Sequence, residues 1–376
     1  MADEIQANHG NGNRTMKILA INLPQFHTFP ENDEWWGKGF TEWTNVRKAR
    51  PLYEGHRQPL VPLHHNYYDL TDPKAIVGQH QLAARYGIDG FVYYHYWFNG
   101  KLLLQKPLET LLDLPEADRE FCLCWANEPW TRAWDGKNKE IIMPQTFGGE
   151  PDWKAHIEYL LPFFRDPRYL RVDGRPVFFV YSPNKIPQFD EMIRYWDDAI
   201  EREGMEHVYL IEYLSSFNPT PSSELSSAVM EFEPLYSAHY QISKAKQAKR
   251  LLAKKTGNTD FLDYDYLWQR LLTKDRAYGD KAIVRSCFTN FDNSPRKGKA
   301  AFITKGASAE KFGKYFGELL RTHRANESEL VTINAWNEWG EGAILEPTEQ
   351  DGYAWLEAVE QAKEQVADSS LPLQEQ

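Results

Sequence analysis

The chain has 376 residues, 42% of them hydrophobic and 14% aromatic, and a formal net charge of −11. That is enough apolar material for one large domain or two modest ones. The acidic balance argues against a general affinity for nucleic acid or anionic membrane, and no basic stripe with interleaved aromatics is present.

In chain order, the polar head over residues 1–16 reads as a disordered segment without the apolar core of a signal peptide. The first apolar run of strand length is KILAINLPQF (17–26). Residues 28–70 form a long insert containing ENDEWWGKGFTEWTNV, too aromatic for a mere linker. DPKAIVGQHQLAARYG (72–87) starts with an Asp cap and a proline and ends at a glycine, which predicts a helix. Further apolar runs are GFVYYHYWF (90–98), FCLCWAN (121–127), PVFFVYS (176–182), VYLIEYL (208–214) and AVMEFEP (228–234). AIVRSCFTNF (282–291) and LVTINAWNEW (330–339) complete a set of eight. Helical patterns over 151–166, 189–204, 308–324 and 353–366 fall between or after these runs. Residues 235–258 carry the basic run KAKQAKRLLAKK, a solvated helix face or, as the sharper alternative, a lid over an acidic polymer. Residues 367–376 read as a flexible tail.

Near-continuous apolar runs are what parallel strands covered on both faces require. Strand and helix alternating eight times predicts a (β/α)8 TIM barrel with long βα-loop insertions, forming a single catalytic domain over 17–366. A doubly wound sheet should show a glycine-rich phosphate loop after an early strand, and none is present. Cys122, Cys124 and Cys287 cannot all pair, so buried free thiols in a reducing compartment are expected. No stretch approaches the roughly 18 apolar residues of a membrane span, and a cytoplasmic location is expected.

In such barrels the chemistry lies where the strands end and in the loops that follow. The first run ends in Gln25 and His27, and Trp36 follows in the insert. The second supplies His95, Tyr96, Trp97 and Asn99. The third supplies Trp125, Asn127 and Glu128 and leads into PWTRAWDG, with Trp130, Arg132, Trp134 and Asp135. Tyr181, Glu212 and the pair Glu231 and Glu233 end the next three. Asn290 and Asp292 end the seventh, and the eighth delivers Asn337, Glu338, Trp339 and Glu341. Such a rim suits glycosidic bond cleavage, which needs one acid to protonate the leaving oxygen and one carboxylate to assist at the anomeric carbon. Tryptophan and tyrosine rings stack on sugar faces, while Asn, Gln, His and Arg hold hydroxyls. In NAWNEWGEG (334–342), Gly340 and Gly342 let the chain turn so that Glu341 faces the same pocket as Glu338. By spacing alone, two such glutamates describe a solvated loop; the strand end and the flanking Trp336 and Trp339 point instead to a site.

NEWGEG followed by EP resembles the motif of glycoside hydrolase family 99, the endo-α-mannosidases. LPQFHTFPENDEWWGKGFTEWTNV, YGIDGFVYYHYWFNG, CLCWANEPWTRAWDG and FDNSPRK resemble the related WbsX-like proteins, found with bacterial surface-polysaccharide genes. The resemblance implies a (β/α)8 barrel. It also implies that Glu338 is a base on the sugar's own 2-hydroxyl, giving a 1,2-anhydro intermediate with retention, and that Glu341 is the acid/base. Gly342, Glu346 and Pro347 continue the match. Trp339 with Gly340 departs from the mannosidase pattern, and the early strands are WbsX-like rather than mannosidase-like, which leaves the sugar open.

Rival assignments exist. Glu128, in ANEPW, is a second candidate acid, with sugar binding or an ion pair to Arg132 as alternatives, and Glu231 or Glu233 could turn a carboxylate inward. His27, His56, His64, His65 and His95 are scattered without ligand spacing, so neither metal nor cofactor is expected. Trp35, Trp36 and Trp43 are either anchors of the insert or sugar platforms. The leading expectation is a retaining, endo-acting glycoside hydrolase on an α-linked, mannan- or rhamnan-like polysaccharide, with the acid Glu341 raised in pKa by an aromatic, partly dry pocket. A glycosyltransferase or transglycosylase of surface-polysaccharide (O-antigen) biosynthesis is the first alternative, although no nucleotide-sugar fold or DxD motif is found. A non-catalytic glycan-binding barrel is the second. In each case the partner is an oligo- or polysaccharide.

Overall fold

The computed structural model describes residues 16–132, 137–324 and 326–369. Eight parallel strands close into a barrel: β1 (Lys17–Asn22), β2 (Gly90–Phe98), β3 (Glu120–Trp125), β4 (Arg175–Val180), β5 (Tyr209–Leu214), β6 (Ala228–Glu231), β7 (Ala282–Phe288) and β8 (Glu327–Asn334). Each pairs with the next in chain order, and β8 returns to β1, with Leu19 opposite Gly90 on one side and Ala20 opposite Ile333 on the other. β2 and β5 are buried along their whole length, as strands must be when the barrel interior covers one face and helices the other. All eight apolar runs therefore form strands. β1 stops at Asn22 rather than at residue 26, and β8 at Asn334 rather than at 339; the residues left over build the rim.

The connection after β1 carries α1 (Pro30–Trp36), α2 (Glu42–Lys48) and α3 (Pro73–Arg85); α4 (Lys106–Leu112) follows β2, α5 (Glu150–Arg165) β3 and α6 (Phe189–Glu201) β4. After β6 come α7 (Leu235–Tyr240), α8 (Lys244–Thr256) and α9 (Tyr264–Thr273); α10 (Ser294–Lys297) and α11 (Ala309–Arg321) follow β7, and α12 (Ala354–Ser369) follows β8. α3 starts as its sequence predicts, with the Asp72 carboxylate accepting from Lys74 N and Pro73 in the first turn. α6 buries Phe189, Met192, Ile193, Trp196 and Ile200, the one-sided spacing that seats a helix on a barrel wall.

The alternation breaks once. Among the described residues, 215–227, between β5 and β6, contain no helix. The segment is rich in serine and proline, and its amides find another acceptor: Glu212 takes hydrogen bonds from Ser222 N (2.8 Å) and Ser223 N (2.9 Å). The glutamate at the end of the fifth run thus holds a loop and not a ligand. The long insert packs as its aromatic content requires. Trp43 is buried, donates from Nε1 to Tyr68 O at 2.8 Å, and lies 5.3 Å from the Trp339 ring. Cys122, Cys124 and Cys287 are buried free thiols.

Gly90, where β2 enters the barrel, has no room for a side chain: a Cβ there would lie 2.5 Å from Glu120 O and 3.1 Å from Leu19 Cδ2. Gly78, inside α3, has no such neighbour within 4 Å. Gly90→Ala should destabilise by about 1–3 kcal/mol, whereas Gly78→Ala should stabilise by about 0.5–1 kcal/mol. Thermal midpoints moving in opposite directions check the pair.

Candidate active site

The residues after β8 form the floor of the rim. Asn337 is buried there and binds the backbone of the neighbouring strand end, accepting from Leu23 N at 2.7 Å and donating to Leu23 O at 3.0 Å. Asn337–Glu338 pairs antiparallel with Ala343–Ile344 around a single helical turn, Trp339–Glu341, closed by Gly342 at φ +60°. This turn sets Glu338 and Glu341 on one guanidinium. Arg296, on α10, donates from Nη2 to Glu338 (2.8 Å), from Nη1 to Glu341 (2.8 Å) and from Nε to Glu42 on α2 (2.9 Å). Gly340 makes the approach possible, because a Cβ at that position would lie 1.7 Å from Glu42 Oε1 and 2.6 Å from Arg296 Nε.

One cation faces three carboxylates in a buried setting. Ionising all of them would leave excess negative charge away from water, which is costly. Burial accordingly pushes the Glu338 carboxyl up to about 8; Arg296 opposes the shift, while Glu341 and Glu42 add to it. Burial also works against the charge on Arg296, but Glu42, Glu338 and Glu341 overcome it and hold its proton well above the ordinary range. Glu338 lies deeper in the carboxylate cluster than Glu341, whose side chain is more exposed.

Above Glu338 and Arg296 lies a cavity of about 330 Å³. Leu23, Gln25 and Trp36 line it from the β1 side, Tyr94 and Tyr96 from β2, Ala126, Glu128 and Trp130 from the loop after β3, and Tyr181 from the end of β4. Gln25 is buried, and its Nε2 has no hydrogen-bond partner among the described residues, so an amide donor waits there for an acceptor. Tyr96 meets Trp130 edge-on at 5.2 Å. Glu128 accepts from Lys185 Nζ (2.6 Å) and Ser182 Oγ (3.0 Å), so its described cation is Lys185. The side chain of Arg132 and all of Trp134 and Asp135 lie outside the described residues.

Several expected binding residues face elsewhere, for one geometric reason. Side chains alternate along a strand, so Tyr94 and Tyr96 enter the cavity while His95 and Trp97 turn outward toward α5. There His95 Nε2 meets His156 Nε2 at 2.8 Å, Trp97 stacks on the His156 ring at 4.5 Å, and Trp97 Nε1 donates to Asp152 at 2.9 Å. Burial pushes His95 down to about 3, which keeps the imidazole pair neutral. Trp125 is buried in the same layer, edge-on to His156 at 4.7 Å. Asn127 is fully buried and exchanges two 2.8 Å hydrogen bonds with the Ser182 backbone, tying the β3 and β4 ends together. His27 is buried and donates from Nδ1 to Pro24 O at 3.0 Å.

Glu231 is held outside the cavity by Lys274 (2.5 Å), Arg276 (2.8 Å) and Tyr278. Glu233 accepts from Ser237 Oγ at 2.6 Å at the start of α7. Trp339 is buried, and its Nε1 donates to Glu346 at 2.6 Å; Tyr68 OH and Gln79 Nε2 satisfy the same carboxyl, which burial pushes up to about 7. Asn290 and Asp292 line a separate cavity of about 170 Å³. There Asp292 accepts from His56 Nε2 and Gln58 Nε2, both at 2.8 Å. His56 Nδ1 accepts from Leu52 N, which fixes the proton on Nε2. No group of three or more His, Cys, Asp or Glu side chains suited to a metal occurs among the described residues.

Residue-level reading of the sequence missed Arg296 and Glu42, which lie 254 positions apart. Arg296 sits in the FDNSPRK block, but nothing in one dimension marks its contacts. Tyr94 was recoverable from the alternation of β2 once the strand end was known.

Over residues 18–359 the chain matches the family described as Glycosyltransferase WbsX. It belongs to the WbsX family. Two curated relatives, both called uncharacterised protein WxcX and from strains of Xanthomonas campestris pv. campestris, are 36% and 37% identical over 360 and 362 residues. These matches cover 93% of this WbsX-family chain and 50% of each relative, so the chain spans about half their length. Among solved structures, the GH99 endo-alpha-mannosidase from Bacteroides thetaiotaomicron superposes with a TM-score of 0.53 at 14% identity, covering 94% of this chain and 98% of that one. A glycoside hydrolase-like protein gives a TM-score of 0.57 at 11% identity, covering 93% of this chain and 94% of its own. At such identities the likeness concerns the fold: the WbsX-family chain is a TIM barrel of the kind these glycoside hydrolases have.

Gly340→Ala would drive a methyl group into the Glu42–Arg296 contact and should cost about 1–3 kcal/mol. Glu42→Ala removes the obstructing carboxylate, so the double variant should lose less than the sum of the two single losses. Thermal midpoints of the four proteins in the cycle check this, and additive losses would place the strain elsewhere.

Proposed function

We propose that the chain is a retaining glycoside hydrolase that cleaves an α-linked, mannan- or rhamnan-like polysaccharide, with Glu338 and Glu341 as its catalytic pair. The observation that carries this reading is two carboxylates, projected from one short turn, sharing Arg296, with Glu338 and Arg296 bordering a cavity walled by Trp36, Tyr94, Tyr96, Trp130 and Tyr181. The GH99 neighbour is named an endo-alpha-mannosidase, and its barrel fold supports the same class of chemistry here.

In the proposed reaction, Glu338 removes the proton of the 2-hydroxyl, O2 attacks C1, and Glu341 gives its proton to the departing oxygen. A 1,2-anhydro sugar results. Water then opens the ring at C1: Glu341 takes the water proton, Glu338 returns its proton to O2, and two inversions leave net retention. The raised Glu338 suits this role. A sugar hydroxyl is a weak acid, and a more basic carboxylate is the better acceptor for its proton. Arg296 positions both carboxylates, Gln25 offers an amide to a hydroxyl, and the aromatic walls take the sugar faces.

A second reading is supported by the family's own description as a glycosyltransferase. Release of reducing ends from α-mannan, rhamnan and O-antigen polysaccharides tests hydrolysis, and sugar transfer from nucleotide-sugar donors under the same conditions would favour the second reading. Glu338→Gln and Glu341→Gln should each lower turnover by about 10²–10⁴-fold, and wild-type turnover in both would remove them from the chemistry. NMR of the first product should show retention; inversion would rule out the anhydro sugar.

Because Glu338 acts ionised, kcat/KM should fall as pH drops below about 8. Glu42→Gln removes a negative neighbour, lowers the Glu338 pKa, and should move that acid limb to lower pH. A limb that stays in place would uncouple Glu42 from the base.

A further inference from the structure

Among the described residues, the exposed large apolar side chains are Ile141 (57%), Phe217 (67%), Tyr240 (38%), Leu251 (67%) and Leu252 (61%). All five are tied to the C-terminal ends of barrel strands: Ile141 adjoins Ile142 of the cavity wall, Phe217 lies three residues past the end of β5, Tyr240 OH donates to Ser216 O beside it, and Leu251 and Leu252 are on α8, whose Arg250 binds Ala238 O in α7, seven residues past the end of β6. That is the end of the barrel at which the candidate cavity opens. Exposed apolar groups scattered singly over a surface need no explanation, but a set confined to one rim does.

The exposure is built in. The Phe217 turn is tied by Ser215 N to Asn218 O (2.9 Å), Asn218 N to Ser215 O (3.1 Å) and Asn218 Nδ2 to Tyr213 O (3.1 Å). Asn184 Nδ2 also binds Phe217 O (3.3 Å), so a well-anchored turn holds the phenyl ring in water. α8 is likewise fixed. Ser243 caps its start, Gly257 ends it, Arg250 binds Asp260 at 2.5 Å and also Ala238 O, and Lys246 lies 4.4 Å over the Tyr266 ring. Its outer face carries Leu251 and Leu252 among the exposed Lys244, Lys249, Lys254 and Lys255, and no acidic residue occurs between Lys244 and Thr256.

Leucines flanked by lysines on a solvated helix fit one kind of surface, an apolar layer under negative headgroups, into which leucine inserts and toward which lysine reaches. The net charge of −11 does not oppose this. An acidic body with one basic patch is repelled from an anionic surface in every orientation except the one that presents the patch. The apolar residues come from four separate segments, the ribbon after β3, the turn after β5, α7 and α8, which suits a broad partner. No helix among the described residues is long and apolar enough to cross a membrane.

We propose that this rim docks on a bilayer containing anionic lipid, with α8 lying in the headgroup layer, so that the cavity opens beside the membrane surface. The proposal stands apart from the catalytic assignment and does not need it. Co-sedimentation of the full chain with vesicles of phosphatidylcholine, alone or mixed with phosphatidylglycerol, tests it. Binding should need phosphatidylglycerol and weaken with salt, and Leu251→Ser with Leu252→Ser should reduce it by roughly tenfold. Both side chains are exposed, so an unchanged thermal midpoint is expected and checks the fold. Absence of binding to mixed vesicles would overturn the proposal, as would binding that the double variant leaves intact. Concentration-dependent self-association lost in the double variant, without vesicle binding, would assign the face to a second copy instead and would equally overturn it.

Discussion

The candidate site depends on one buried guanidinium. Arg296 draws together Glu42 from the insert after β1 and Glu338 and Glu341 from the turn after β8. A planar group with donors along three edges fixes the direction of each carboxylate as well as its distance, which an ammonium could not do. Removing it would strip two buried acids and one half-buried acid of their described cation, a larger cost than the bonds alone represent. The protonation of Glu338 is thereby tied to an insert that a description of the barrel alone would treat as decoration.

Around this cluster, residues that resemble ligand-binding groups serve to hold the loops. Asn337 ties the β8 end to the β1 end, and Asn127 ties β3 to β4. Asp292 anchors the insert through His56 and Gln58, while Glu212 organises the helix-free connection after β5. Polar side chains at strand ends satisfy backbone groups that the ladder no longer pairs. The layer formed by His95, Trp97, Trp125 and His156 does the same between the barrel wall and α5 by stacking.

The barrel was legible because parallel strands buried on both faces write themselves as unbroken apolar runs, and β1 to β8 fall inside the eight runs or within a few residues of their starts. The candidate cavity opens at the strand ends to which the same reading pointed. The facing of individual side chains did not: both faces of β2 are aromatic at its C-terminal end, so YYHYW gives no contrast from which to tell inward Tyr94 and Tyr96 from outward His95 and Trp97. The missing helix after β5 depended on Glu212 reaching serines ten or more positions away. The raised Glu338 depends on burial and on a carboxylate that enters from the insert, and neither quantity has a one-dimensional trace.

The cavity also divides into parts with different freedom to vary. Its floor is locked, since Gly340 admits no added carbon and Glu42, Arg296 and Glu338 satisfy one another. Its walls are borrowed from the periphery: Trp36 from a short helix in the insert, and Trp130 with Thr131 and Ile142 from the ribbon after β3. Exchanging those peripheral pieces alters the shape of the cavity without moving the charged cluster beneath it. A lineage built on this scaffold can therefore vary the outline of the cavity while inheriting the same charged floor intact.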